Sequence, residues 1–257
     1  QALLECLFGV PFAQAAAMTS SELVLSWKTA RVTRGDVALF APGEWLNDHC
    51  ITFYLEYLAK QHGDAASRVL FLGAESAFWI LNEKDEEDLK DGTEGLELGE
   101  KDLIICPLND NNDFEREGGA GTHWSLLVAR VTAENQLSFE YYDSMGTSSL
   151  GDARRLAARL SMLRLAALGP GSGASAPGVA VVDCAKQENQ SDCGVYVLLF
   201  VRSVLEAYLS KGAQDAAGAA AAVSAFRPQD AAQMRREVPE LIRQEAAAMA
   251  AAKGGPT

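Results

Sequence analysis

A cysteine followed by a glycine at the head of a long apolar run can act as a nucleophile if the fold gives it a helix N-terminus and a base. Cys193 stands in that position. The stretch Gln187-Glu-Asn-Gln-Ser-Asp-Cys-Gly194 lies between a β-like apolar run, Val179 to Cys184, and a helix-like run that begins at Val195. The thiolate is the attacking species, and the exposed N–H groups and positive dipole end of a helix favour it. Gln187, six residues earlier on the incoming loop, carries an amide that can fold back toward the sulfur and donate to an oxyanion. Asp192 is expected to cap the helix. A buried structural cysteine at a helix start has the same local pattern, so this stretch alone leaves both readings open.

A cysteine nucleophile needs a base, and the chain holds three histidines, His49, His62 and His123. His62 lies in Lys60-Gln-His-Gly, a polar helix end that suits a solvated or dipole-favoured residue. His49 follows the cap of an earlier helix and is the weaker candidate. His123 heads a strand, after a Gly-rich loop and before Trp124, where a sheet can aim an imidazole while the loop leaves its edge open. The imidazole in turn needs a carboxylate to hold its tautomer and stabilise its cation. Asp143 ends the next strand. If 124–131 and 137–142 pair as a hairpin, the start of the first and the end of the second lie side by side. Taken singly, His123 could cap a strand and Asp143 could be a turn residue in Asp-Ser-Met-Gly. Together they complete a relay whose chain order, His, Asp, Cys, differs from a cysteine-first order.

The elements that must position these residues follow from periodicity and punctuation. Ser21 to Ser26 and Asp36 to Phe40 are short apolar pieces, followed by a Pro42-Gly43 turn. A helix capped by Asn47 or Asp48 carries Ile51, Tyr54, Leu55 and Leu58 on one stripe and ends near Gly63. Arg68 to Leu72 and Ala77 to Leu81 are compact apolar segments. Residues 83–100 hold nine carboxylates against two lysines, a solvated face or a surface for a basic protein. Leu103 to Cys106, Trp124 to Val131 and Leu137 to Tyr142 read as strands of a mixed sheet. Ala153 to Leu168 reads as a helix, 169–178 as a flexible loop, and Val179 to Cys184 as another strand. The Cys193 helix runs to about Ser210, and its all-round apolar segment Val195 to Val201 implies a buried central element. Ala213 to Ala222 reads as a low-complexity insertion. A final helical pattern begins near Gln229, with a kink or restart expected at Pro239.

Composition excludes several classes. At 257 residues and 48% hydrophobic content the chain can bury a sizeable core, as one α+β domain over 18–257. A net charge of −13 argues against nucleic acid or an anionic membrane as the main partner and favours a basic protein surface. The apolar core after Cys193 reads as too short to span a bilayer. Five cysteines, Cys6, Cys50, Cys106, Cys184 and Cys193, are widely spaced with no C-x-x-C pair, so neither a disulfide framework nor a zinc site is expected, and a reducing intracellular setting is. Residues 1–17 lack the basic segment of a signal peptide and are expected to be a disordered, non-core extension before Met18.

Four blocks carry a family resemblance: Trp45-Leu-Asn-Asp-His49, Thr122-His-Trp-Ser-Leu126, Tyr142-Asp-Ser144 and Gln187-x-Asn-x-x-Asp-Cys-Gly194. Together they resemble the ubiquitin-like-protein proteases, the sentrin-specific family of cysteine peptidases, from about Met18 to Ser210 with a weaker echo in Gln229 to Gln244. Cys106-Pro-Leu-Asn-Asp110 and Gly118-x-x-Gly-Thr-His-Trp-Ser125 resemble its deneddylase branch more than the SUMO proteases. The resemblance implies a papain-like α+β fold with a central mixed sheet and a buried nucleophile helix. It makes Cys193 the nucleophile, His123 the general base and acid, Asp143 the orienting carboxylate, and Gln187 the oxyanion donor with the Cys193 N–H. Trp45 and Trp124, with Asn47 and Asp48, would bind substrate, the two indoles forming a tunnel that only a Gly-Gly tail can thread.

The implied reaction is hydrolysis after the terminal Gly-Gly of the neddylation modifier, in its precursor and its conjugates such as cullins, with no metal or cofactor. A monomer acting in the cytoplasm or nucleus is the corresponding expectation. The alternatives are a SUMO-specific protease, a non-catalytic module that binds such modifiers, and an acyltransferase. The insertions at 169–178 and 213–222 and Pro239 depart from the family pattern and bear on the C-terminal contacts.

Overall fold

The computed structural model describes residues 20–110, 121–169, 178–213 and 215–253. The extension over 1–17 and most of the loop over 169–178 therefore lie outside the described residues. The chain opens with an antiparallel pair, β1 (Leu23–Trp27) and β2 (Ala30–Thr33), turned at Lys28. A short helix, α1 (Arg34–Ala38), follows under a reciprocal cap in which Thr33 and Asp36 satisfy each other's backbone N–H groups. Helix α2 (Asp48–His62) starts where Asn47 accepts from the Cys50 N–H and stops at Gly63, whose φ of 47° suits a residue without a Cβ. Its inward face is Cys50, Ile51, Phe53, Tyr54, Leu55 and Leu58, which includes the predicted stripe.

The central sheet has five strands in the order β3 (Val69–Phe71), β4 (Leu103–Asn109), β5 (Trp124–Val131), β6 (Leu137–Tyr142) and β7 (Val179–Val181). The outer pairs are parallel and the two inner pairs antiparallel, so the sheet is mixed as expected. β4 and β5 are buried almost end to end because helices cover both faces. Side chains alternate between the two layers with the period of a strand. Leu103, Ile105, Leu126 and Val128 face α2 and α6 (Cys193–Lys211), with α7 (Ala216–Ser224) and α8 (Pro228–Lys253) behind them. Ile104, Cys106, Leu127 and Ala129 face α3 (Ala74–Asn82), α4 (Glu86–Thr93) and α5 (Leu150–Leu168).

Helix α6 is the centre of the first layer: Val195 to Val201 are all buried. Burying each large aliphatic side chain stabilises by roughly 1.5–3 kcal/mol, so this segment is a main source of cohesion. By length and composition α6 is apolar enough to cross a membrane, contrary to the expectation from the sequence, and it is instead mostly buried inside the fold.

Other expectations are corrected or sharpened. The strand at Val179 ends at Val181: the Val182 N–H still donates to the Tyr141 carbonyl of β6 at 2.9 Å, but by Ala185 the backbone N–H has turned to the Val223 carbonyl at 3.0 Å. The segment after 213 is not a passive insertion: α7 buries Ala219 and Val223 in the α6 layer. Pro239 sits inside a continuous α8 without a restart, since Val238 and Ile242 pack into the core on either side and outweigh one missing N–H. The acidic segment is mostly exposed, as expected, yet Leu89 and Leu98 anchor it to the second layer.

Candidate active site

The β5–β6 hairpin pairs Leu126 with Tyr142, so the ladder runs out with His123 and Asp143 at the same end of the sheet. His123 Nε2 lies 2.8 Å from Asp143 Oδ1, and both side chains are buried. The carboxylate is saturated: Oδ1 also accepts from the N–H groups of Met145 (2.8 Å) and Gly146 (3.0 Å), and Oδ2 accepts from the Tyr141 hydroxyl at 2.8 Å. Burial alone would raise the Asp143 pKa, but the His123 bond and these donors outweigh it and hold the carboxyl below its usual range. An anion in that position fixes the imidazole ring and its tautomer.

The backbone of His123 is held as firmly as its ring. Asp110 Oδ1 accepts from the His123 N–H at 2.8 Å and from the Thr122 N–H at 2.5 Å, and the Asp110 N–H donates to the His123 carbonyl at 3.1 Å. Asp110 thus closes the neck of the loop that precedes the histidine.

Asp143 occupies Nε2, which leaves Nδ1 for Cys193. Nδ1 is buried and makes no bond of standard geometry, while the Cys193 thiol acts closely enough on the ring to raise its pKa. Burial pushes the His123 pKa down, but the Asp143 bond, the Cys193 contact and the two charges together push it up to about 10. At neutral pH the ring is therefore an imidazolium, the partner a thiolate requires. Cys193 itself is the first residue of α6, with no acidic side chain in that first turn to oppose a negative sulfur.

Gly194 lets the nucleophile helix approach its neighbours. A Cβ there would stand 3.0 Å from Leu46 Cβ and 3.3 Å from a Trp124 ring carbon. The Trp124 indole is buried and donates to the Leu46 carbonyl at 2.8 Å, which ties it to the residue after Trp45. Trp45 remains 46% exposed, free to meet another molecule.

The turn from Gln187 to Asp192 is stitched to the end of β6. The Gln187 N–H donates to the Ser144 carbonyl at 3.0 Å, and the Ser144 hydroxyl donates to Gln187 Oε1 at 2.6 Å. Gln187 Nε2 donates to the Asn189 carbonyl at 2.7 Å, which fixes which end of the amide is nitrogen and leaves its second N–H for another acceptor. Lys186 Nζ donates to the Asp143 carbonyl at 2.7 Å. Each member of the predicted set Cys193, His123, Asp143 and Gln187 is thereby placed within one connected cluster.

The other sequence-predicted residues fall elsewhere. Asp192 precedes α6 without a capping bond, since its carboxylate is taken by Asn189 and Arg235. Asn47 spends both ends of its amide inside the fold, accepting from the Cys50 N–H and donating to Asp36 Oδ1 at 2.6 Å. Asp48 is half-buried in the first turn of α2. His49 Nδ1 lies 3.3 Å from Asp36 Oδ2, and His62 ends α2. Tyr141, Ser144, Lys186 and Asp110 were not singled out by sequence reasoning as site residues, although Ser144 and Asp110 belong to quoted blocks.

A helix-borne cysteine beside an imidazolium and a buried carboxylate, on a mixed sheet covered by helices, defines a cysteine peptidase. The profile of the Ulp1 protease family, C-terminal catalytic domain, matches residues 44–247, and the chain belongs to that family, whose members act on ubiquitin-like proteins. It is 32% identical over 194 residues to NEDD8-specific protease 1 of Arabidopsis thaliana, covering 76% of this chain and 80% of that one. It is also 32% identical over 179 residues to sentrin-specific protease 8 of Homo sapiens, covering 68% of this chain and 78% of that one. Among solved structures, SUMO protease Ulp1 with its catalytic cysteine oxidized to a sulfenic acid superposes with a TM-score of 0.61 at 22% identity, over 90% of this chain and 92% of the other, a likeness of fold.

Proposed function

We propose that this protein is a deneddylase, which cleaves the bond after the C-terminal glycine of the neddylation modifier in its precursor and in lysine conjugates such as cullins. The observation that carries the choice of modifier is the similarity, over most of both chains, to a protease named for NEDD8. A SUMO-specific protease is the second reading, favoured by 27% identity to sentrin-specific protease 2 of Homo sapiens, though that match covers only 49% of this chain.

In the reaction, Cys193 sulfur attacks the carbonyl carbon of the terminal glycine, and the oxygen takes up the electron pair. The free N–H of Gln187 and the backbone N–H of Cys193 donate to that oxyanion. The tetrahedral species collapses as the His123 imidazolium gives its proton to the departing lysine amine, leaving a thioester on Cys193. Water then attacks the thioester carbonyl, His123 accepts its proton, and the modifier leaves with a free carboxylate. The Asp143 carboxylate holds the ring through both transfers. Trp45, exposed beside the buried Trp124, offers a wall against which a tail lacking side chains can lie.

The test is turnover of NEDD8, SUMO and ubiquitin, each carrying a C-terminal aminocoumarin. NEDD8 is expected to be cleaved fastest, and faster release from SUMO would replace this reading with the second. Cys193→Ala is expected to abolish release while keeping affinity for the modifier, measured by calorimetry; release at the wild-type rate would show that Cys193 is not the nucleophile.

A further inference from the structure

Arg235 lies on α8, in the part of the chain where the family resemblance was weakest, and its guanidinium is only 5% exposed. Nε donates to Asp192 Oδ1 at 2.8 Å, and Nη2 approaches the same oxygen at 2.7 Å. Nη2 also donates to the carbonyls of Glu44 (2.8 Å) and Ser191 (3.1 Å), and Nη1 to those of Leu39 and Ala41, both at 3.0 Å. All five N–H groups are used, in a planar fork that lysine, with a single ammonium, cannot reproduce.

The acceptors belong to two walls of the site. Leu39, Ala41 and Glu44 lead directly into Trp45, whereas Ser191 and Asp192 lead directly into Cys193. The second carboxylate oxygen of Asp192 accepts from Asn189 Nδ2 at 2.8 Å, and the Asn189 carbonyl holds Gln187 Nε2. One chain of bonds therefore runs from Ser144 through Gln187, Asn189 and Asp192 to Arg235, and from there to the backbone below Trp45.

We propose that Arg235 is a positioning residue for acyl transfer: it fixes the spacing between the Gln187–Cys193 turn, which supplies the oxyanion donors, and the Trp45 segment, which receives the substrate tail. Arg235 touches no substrate and acts only through these two segments. The proposal rests on the peptidase reading above, and wild-type turnover of the tagged modifier tests that reading first and separately.

The experiment compares Arg235→Gln and Arg235→Lys with wild type, at temperatures well below each melting transition, by steady-state turnover and by alkylation of Cys193 with iodoacetamide, located by peptide mass. Small displacements of reacting groups cost on the order of 10²-fold, so kcat in Arg235→Gln is expected to fall by roughly 10- to 100-fold with KM changed little. The alkylation rate and its pH profile are expected to stay at the wild-type level, because alkylation needs the sulfur and His123 but no oxyanion donor. Arg235→Lys is expected to recover only part of kcat. An unchanged kcat in folded Arg235→Gln overturns the proposal, as does an equal fall in turnover and alkylation, which marks a purely structural role. If Arg235→Gln does not fold, Asp192→Asn replaces it: the loss of kcat without loss of alkylation supports the proposal, and wild-type kcat overturns it.

Discussion

His123 and Asp143 stand just beyond the paired ends of neighbouring strands whose backbone ladder sets their separation, whereas Gln187 and Cys193 are joined by a turn that side chains hold in place. The first pair inherits its geometry from β5 and β6, with Asp110 and Tyr141 adding bonds at the edges. The second depends on Ser144, Asn189, Asp192 and Arg235, each a side chain that a single substitution removes. Substitutions around the hairpin should therefore change electrostatics with geometry intact. Around the turn they should change geometry and leave the His123 electrostatics alone.

The largest expected effect sharpens the electrostatic half. Asp143→Asn keeps the shape but loses the anion and the fixed tautomer, and kcat is expected to fall by roughly 10³- to 10⁴-fold. Because Asp143 is a principal cause of the raised His123 pKa, the alkaline limb of the pH–rate profile, expected near pH 10 in the wild type, should move to lower pH in the variant. A limb that stays in place would break the assignment. The same linkage acts on stability. With a folded pKa of about 10 against an ordinary 6.5, His123 contributes stability that is fully present below about pH 6.5 and is lost as pH rises through about 10. The melting temperature of the wild type should thus fall more across that window than that of His123→Ala.

Next comes the turn. Gln187→Ala removes one oxyanion donor and is expected to lower kcat by about 10²- to 10³-fold while the alkaline limb stays where it is, measured with the same fluorogenic substrate. A shifted limb would mean that the two halves are not independent. Gly194→Ala is smaller in energy: its Cβ meets Leu46 and Trp124, and overpacking of this kind costs about 1–3 kcal/mol in denaturant unfolding. The smallest effect lies on the acidic surface, where Glu86→Gln, exposed in the first turn of α4, should change stability by less than about 0.5 kcal/mol.

Much of the hairpin half was legible because it rests on local rules. The apolar runs 124–131 and 137–142 read as two paired strands, and pairing alone brings their ends together. The Cys193 helix was legible for a similar reason, since the seven consecutive apolar residues from Val195 to Val201 can only be buried. The turn half was only partly legible. Gln187 was recognisable from its distance to Cys193, but its partners were not: Asp192 looks like a helix cap in sequence and serves instead as the anchor for Arg235. Asn47, assigned to substrate through the resemblance, is the helix cap that the local pattern also offered, accepting from the Cys50 N–H, and its remaining bond, to Asp36, comes from tertiary packing.

The segment from 213 onward was hardest to read because Ala-rich sequence and an interior proline are poor signals by themselves. Tertiary burial of Ala219, Val223, Val238 and Ile242 decides both. The sequence by itself determined the chemical cast, Cys193, His123, Asp143 and Gln187, because nucleophile, base, acid and donor are matters of residue type, and their order along strands and helix is a matter of short-range periodicity. Only the tertiary structure decided that α8 reaches across the molecule to place Arg235 between Asp192 and the backbone below Trp45. A guanidinium 43 residues from its carboxylate partner and more than 190 from three of its carbonyl acceptors, Leu39, Ala41 and Glu44, is brought there by packing, which no local pattern encodes.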